Sequence, residues 1–244
     1  MSVYPYTLVT VVLYMVLLGA PPVWSQNGAN QDLSAYGQTD DFTFASGIQY
    51  TRQLGYFLFS PATLTSGIEI NGSSLVDNKL GYYDPVEDVH YGNTLVADQQ
   101  VSTQAGFLQP EWKMDKLVLT TGLRYDHYLV SDNTHDNDAI SGNVFSPRIS
   151  LMYNISEHLQ FRFGFARGFR APQIFDEDLH IETSGSRKVI HVNDEDLKQE
   201  SSNSYNASFD YTNHFDRWQI QFLVEGFYTQ LIDPFANISY KFGI

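Results

Sequence analysis

What most constrains this chain is an alternation of side chains with period two, sustained over segments longer than an ordinary soluble strand. In residues 159–166, Leu159, Phe161, Phe163 and Phe165 fall on one side and Gln160, Arg162, Gly164 and Ala166 on the other. In 117–126, Leu117, Leu119, Leu123 and Tyr125 oppose Val118, Thr120, Gly122, Arg124 and Asp126. In 218–225, Trp218, Ile220, Phe222 and Val224 oppose Gln219, Gln221 and Glu225, with Leu223 the single exception. Successive Cβ atoms of a strand point to opposite faces, so this pattern specifies strands with one apolar and one polar face. After residue 26 no segment shows comparable helical spacing.

Read throughout, the pattern predicts about eight strands, near 42–54, 62–72, 99–113, 116–130, 144–155, 158–169, 199–212 and 217–231. The connectors at 55–61, 114–115, 156–157 and 213–216 are short, whereas those at 73–98, 131–143 and 170–198 are long, polar and acidic. Long and short alternate along the chain. A meander with turns at one end and loops at the other is the arrangement of a porin-like antiparallel transmembrane β-barrel. The expected fold is therefore all-β, about eight strands of a larger, incomplete barrel. Tilted by about 40°, strands of this length span a hydrocarbon layer.

Composition agrees. Aromatic residues make up 15% of the chain, with 16 Tyr and 17 Phe, against a charged fraction of 17%. A mean hydropathy of -0.26 excludes a helical membrane protein but not a barrel, whose strands are only half apolar. Arg124, Arg148, Arg162, Glu69 and Glu225 are expected to line the bore. Tyr50, Phe57, Phe59, Trp112, Tyr128, Phe145, Tyr153, Phe169, Tyr211 and Trp218 are expected to form interfacial girdles. A secreted β-sandwich that binds sugar would show the same alternation between core and solvent, and would stay dissolved without detergent. A small standalone barrel with a structural or adhesive role is a third possibility.

The net charge of -14 argues against a nucleic-acid partner, which is bound through cationic surface. Without cysteine there is no disulfide, thiolate metal site or cysteine nucleophile. Residues 8–20 form the one long apolar run, too short to span a bilayer as a helix, followed by Pro21, Pro22 and Val23-Trp24-Ser25. Residues 1–25 are expected to act as an export signal, 26–41 as a flexible lead-in and 42–244 as the barrel segment.

Four stretches, Gly106 to Asp126, Ser146 to Tyr153, Ala166 to Pro172 and Leu197 to Tyr205, together resemble the barrel of TonB-dependent outer-membrane receptors, in the branch of siderophore, cobalamin and colicin receptors. Gly106-Phe107-Leu108-Gln109-Pro110-Glu111-Trp112-Lys113 followed by Leu117 to Asp126 is similar to the family's "Q-x-E-W-K … L-x-x-G-x-R-Y-D" hairpin. Ser146-Pro147-Arg148, Tyr153 and Ala166-Arg167-Gly168-Phe169-Arg170-Ala171-Pro172 resemble its "SPR … Y … RGFRAP" strands. Leu197 to Tyr205 resembles "L-x-P-E-x-S-x-x-Y", with Gln199 where proline is usual. The resemblance covers about residues 40–240 and implies TonB-dependent active uptake of a ferric siderophore or similar scarce nutrient across the outer membrane of a Gram-negative bacterium. It implies as partners the membrane lipid, a plug domain and TonB. No plug, TonB-binding box or terminal aromatic residue matches the family pattern here, which leads to the expectation of a partial barrel.

No resident cofactor and no enzymatic reaction are expected. The loop from Gln173 to His180 clusters Asp176, Glu177 and Asp178 with an imidazole, but adjacent carboxylates do not set the gap of about 5 to 9 Å that glycosidic acid–base chemistry needs. Asp176, Asp178, His180 and His191 match no recognised metal-ligand spacing. Haem uptake within the same family is an alternative. Phe169-Arg170-Ala171-Pro172 and Asn193-Asp194-Glu195-Asp196-Leu197 loosely match the haem subclass boxes, with His180 and His191 between them. Asp132 to Asp138 lacks the glycine and terminal glutamate of an EF-hand. As part of the ligand mouth, Arg170, Gln173, Phe175, Asp176, Glu177, His180 and His191 are the expected contacts.

Overall fold

A computed structural model describes residues 15–19, 37–134, 139–172 and 197–236. Eleven strands are present: β1 (Met15–Gly19), β2 (Gly37–Phe57), β3 (Ser60–Lys79), β4 (Tyr82–Asp84), β5 (Val89–Tyr91), β6 (Thr94–Lys113), β7 (Leu117–Asp132), β8 (Ile140–Asn154), β9 (Leu159–Arg170), β10 (Glu200–Phe215) and β11 (Trp218–Ile232). Nine form one sheet in the order β1-β2-β3-β6-β7-β8-β9-β10-β11, while β4 and β5 form a separate small hairpin. Every pairing is antiparallel. The expected meander is present, and among the described residues no pairing joins β11 to β1 or β2, so the sheet is an open wall.

β2, β3, β6 and β8 run well beyond the expected bounds, and β7, β9, β10 and β11 stay close to them. β2 starts at Gly37 within the stretch expected to be a flexible lead-in, and pairs up to Lys79 of β3. Outside the lipid, ladder bonds need no apolar face, so polar segments such as Gly37–Asp41 join the sheet without alternation; there Thr39 Oγ1 donates to Asp77 Oδ1 at 2.5 Å. No strand was expected before residue 42. Met15–Gly19, inside the apolar run, pairs with Phe42–Ser46 of β2.

Directly paired residues share a face, so register decides which side chains look outward. One row runs through Ile48, Ile68, Gly106, Tyr125 and Phe145, another through Ile149, Phe165, Tyr205 and Tyr228. Ile68 is 64% exposed, Leu123 50% and Phe145 58%, although all lie in mid-strand. Side chains of this type cost about 1.5–3 kcal/mol each when left in water, so a continuous belt of them requires an apolar surrounding. Tyr125 with Phe145, Phe165 with Tyr205 and Tyr205 with Tyr228 pack as an upper aromatic band. From Leu117 to His127, at about 3.3 Å per residue and a tilt of about 40°, the wall climbs roughly 25 Å, which is the height of a barrel's apolar band.

The turn end is fastened by Trp112. Its ring stacks on Phe57 and Phe59, with centroids 6.0 and 4.8 Å away, and its Nε1 donates to the Phe57 carbonyl at 2.9 Å. Between those rings Leu58 takes a φ of 64°, a left-handed conformation costing a side chain with a Cβ about 1–2 kcal/mol. The stack holds the turn in that geometry. Trp112→Phe keeps the ring and loses the hydrogen bond, so unfolding in detergent is expected to shift by about 1 kcal/mol, read from a urea titration.

Two expected girdle residues face the other way. Tyr128 is in phase with Arg124 and Asp126 on β7 and is 1% exposed on the bore side. Phe169, in phase with the lipid-facing Phe165, nevertheless packs on Tyr128, with ring centroids 5.9 Å apart.

Candidate ligand mouth and bore

The bore face is built from long polar side chains laid across small ones. Asp126 of β7 is level with Ala105 of β6, Glu69 of β3 and Gly47 of β2. Because Ala105 is only a methyl, Arg124 reaches over β6 and donates through Nη1 to Glu69 Oε2, while its Nε donates to Asp126 Oδ1 at 2.8 Å. Asp126 is 1% exposed, so its charge depends on that guanidinium. Arg148 of β8 repeats the device: it lies over Gly122 of β7, where a Cβ would sit 2.8 Å from its Nε, and donates through Nη2 to Gln109 Oε1 on β6. Arg162 Nε donates to Gln160 Oε1 at 2.6 Å on its own strand. The five expected bore residues thus share the polar face, and Arg124 with Glu69 and Arg148 with Gln109 tie strands that are not neighbours.

Among the described residues, two hollows stand out along this face. The larger, about 500 Å³, is lined by Gln109, Thr120, Arg148, Ser150, Asn206 and Thr229 among others. The smaller, about 350 Å³, sits higher, between Thr43, Asn71, Ser73 and Thr103 on one side and Phe169 and Ala171 on the other. Both walls offer hydroxyl and amide groups, suited to multiple hydrogen bonds with a polar occupant.

At the loop end, the β4–β5 hairpin adds an element that alternation did not reveal, because its strands are too short to show a period. Tyr83 donates to Asp88 Oδ1 at 2.5 Å, and Tyr91 donates to Glu87 Oε2. The bond to Asp88 raises the Tyr83 phenol above its ordinary value, with desolvation and the charges of Asp88 and Asp84 adding to it. The bond to Glu87 does the same for Tyr91, followed by desolvation. Both phenols are thus engaged as hydrogen-bond donors to carboxylates of the same hairpin.

Of the expected contact residues, the structure places Arg170 at the outer end of β9. Its Nη2 is 3.7 Å from Glu200 Oε2, and its guanidinium lies 5.0 Å from the centroid of the Phe235 ring. Glu200 also accepts from the Phe235 backbone N–H at 3.0 Å. Arg170 thus braces β9, β10 and the segment after β11 while its side chain stays 45% exposed. Gln173, Phe175, Asp176, Glu177, His180 and His191 lie outside the described residues. Among the described residues no group of His, Asp and Glu side chains is placed to hold a metal ion.

The family model described as TonB dependent receptor-like, beta-barrel, matches residues 13–241. Among solved structures, the copper transporter OprC superposes with a TM-score of 0.58 at 17% identity, over 80% of this chain and 30% of that one. The FrpB iron transporter from Neisseria meningitidis, F5-1 variant in its apoprotein form, gives 0.55 at 20% identity over 80% and 29%. The ferripyoverdine receptor of the outer membrane of Pseudomonas aeruginosa, bound to ferripyoverdine, gives 0.52 at 13% identity over 89% and 29%. At these identities the likeness is one of fold, and the chain spans about 30% of the length of the first of these structures. No curated protein matches.

Proposed function

The chain belongs to the TonB-dependent receptor β-barrel family, and from that premise we propose that it forms part of the wall of a Gram-negative outer-membrane receptor for TonB-dependent active uptake of a ferric siderophore or a similar scarce nutrient. One observation carries this reading: a lipid-matched apolar belt backs a hydrogen-bonding bore, with the long connectors gathered at one end. Ligand binds at that mouth, with Arg170, Gln173, Phe175, Asp176, Glu177, His180 and His191 as its contacts, and passes along the polar face when TonB delivers energy through a plug domain. Membrane lipid, plug and TonB are the partners. The family is one of transport receptors, and the reading assigns this chain no reaction.

The fold neighbours support a metal-bearing cargo by what their names state: copper for OprC, iron for FrpB and ferripyoverdine for the Pseudomonas receptor. The test is energised uptake of radiolabelled ferric chelates by cells that carry or lack the gene. Uptake that depends on the gene and stops on adding an uncoupler supports the reading, whereas uptake unchanged by the deletion across hydroxamate, catecholate and citrate chelates rejects it. In the same assay Arg170→Ala is expected to raise the half-saturating concentration by about tenfold, the loss of one charged contact. A parallel urea titration tells that loss from a broken brace.

A further inference from the structure

The ladder between β8 and β9 stops early. Its last rung is Arg148↔Ala166, although β8 continues outward to Ile140 and β9 to Arg170. On their far sides both strands stay paired, β8 with β7 up to Val130↔Ile140 and β9 with β10 up to Arg170↔Glu200. The next residue of β8 is Pro147, which has no N–H to give either neighbour. Beyond it the outer part of β9 turns into the bore. Phe169 and Ala171 pack against the cluster of Tyr128, Val130 and Val144, and Pro172 is fully buried. Tyr128 pins the arm from two sides, through the ring stack on Phe169 and a hydroxyl that donates to Gln199 Oε1 at 2.8 Å. Its own ring lies flat because Gly142 opposite has no Cβ to obstruct it.

We propose that the arm formed by residues 167–172 and 197–200 has two positions, one packed inward beside the upper hollow of the bore and one zipped to β8. In the observed position Phe169 lines one side of the hollow of about 350 Å³, together with Thr43, Asn71, Ser73 and Thr103. In the second position the β8–β9 ladder continues in its existing register. Ser146 then faces Gly168, and Phe169 lands beside Phe145 in the upper aromatic band, the place its alternation with Phe165 assigns it. Each position satisfies what the other leaves open. The inward form stacks Phe169 on Tyr128 and bonds the Tyr128 hydroxyl, and the zipped form pairs the edge of β8 where Ser146 Oγ is buried without a hydrogen-bond partner among the described residues. Two packings of one segment with offsetting contacts make a bistable element, and the hollow that Phe169 lines in the observed position is wider in the zipped form. The motifs Ser146-Pro147-Arg148 and Arg167 to Pro172 meet at this branch point, one ending the ladder and the other forming the arm.

The chain has no cysteine, so a pair introduced as Ser146→Cys with Gly168→Cys reports the zipped position by disulfide formation in detergent-extracted protein. Adding Tyr128→Ala removes the stack and the hydrogen bond, and the oxidation rate is expected to rise about 5- to 30-fold. A second readout is Phe169→Trp in a chain whose Trp24, Trp112 and Trp218 are replaced by phenylalanine: quenching of the introduced indole by brominated acyl chains rises when Tyr128→Ala is added. Heat-modifiable gel mobility shows that each variant has folded. Equal oxidation with and without Tyr128→Ala, or no oxidation in either, overturns the proposal, as does indole quenching that Tyr128→Ala leaves unchanged.

Discussion

Arg124→Leu is expected to destabilise the wall by about 3 kcal/mol, the scale of removing one partner from a buried ion pair. The guanidinium neutralises two carboxylates at once, and Asp126, 1% exposed, keeps no route to water when it is gone. The rim side of the cluster softens the loss, since 27% of the Glu69 side chain is exposed. A urea titration of the protein in detergent, followed by the heat-modifiable gel shift, reads the change. The triple variant Arg124→Leu, Glu69→Gln, Asp126→Asn discriminates the cause. If stranded charge is responsible, removing it restores most of the stability, whereas a triple variant as weak as the single one assigns the loss to packing of the arginine stem.

Leu123→Arg is expected to cost about 2–4 kcal/mol in a bilayer, because Leu123 looks outward at mid-height and an arginine there meets acyl chains. Ser150→Arg on β8, level with Thr120 and lining the bore hollow, is expected to change stability by less than about 1 kcal/mol. The comparison isolates the face, since both variants add the same group to the same sheet. Equal costs at the two positions, or a Leu123→Arg chain that assembles as well as the parent, would remove the lipid-facing assignment and with it the receptor reading.

Much of this was legible from residue order. Alternation in 159–166 and 117–126 located the strands and named their faces, and Arg124, Arg148, Arg162, Glu69 and Glu225 are on the face they were expected to occupy. The strand ends were less legible. Gly37–Asp41 and Leu75–Lys79 pair outside any apolar layer, where nothing selects an alternating pattern. The expected contacts were read from a connector, where side-chain order carries no period, and Arg170 shows how little such a list says about geometry: its observed partners, Glu200 and Phe235, lie on β10 and beyond β11.

Alternation is a local property, written by the geometry of one strand, and so the sequence by itself determined the meander, its two faces and the grouping of long connectors at one end. Contacts across two strands are not local. That Arg124 reaches Glu69 over Ala105 and that Phe169 breaks phase to join Tyr128 on the bore side were decided only by tertiary structure. Each depends on register between strands and on a small residue lying between two large ones, and neither is encoded within a single strand.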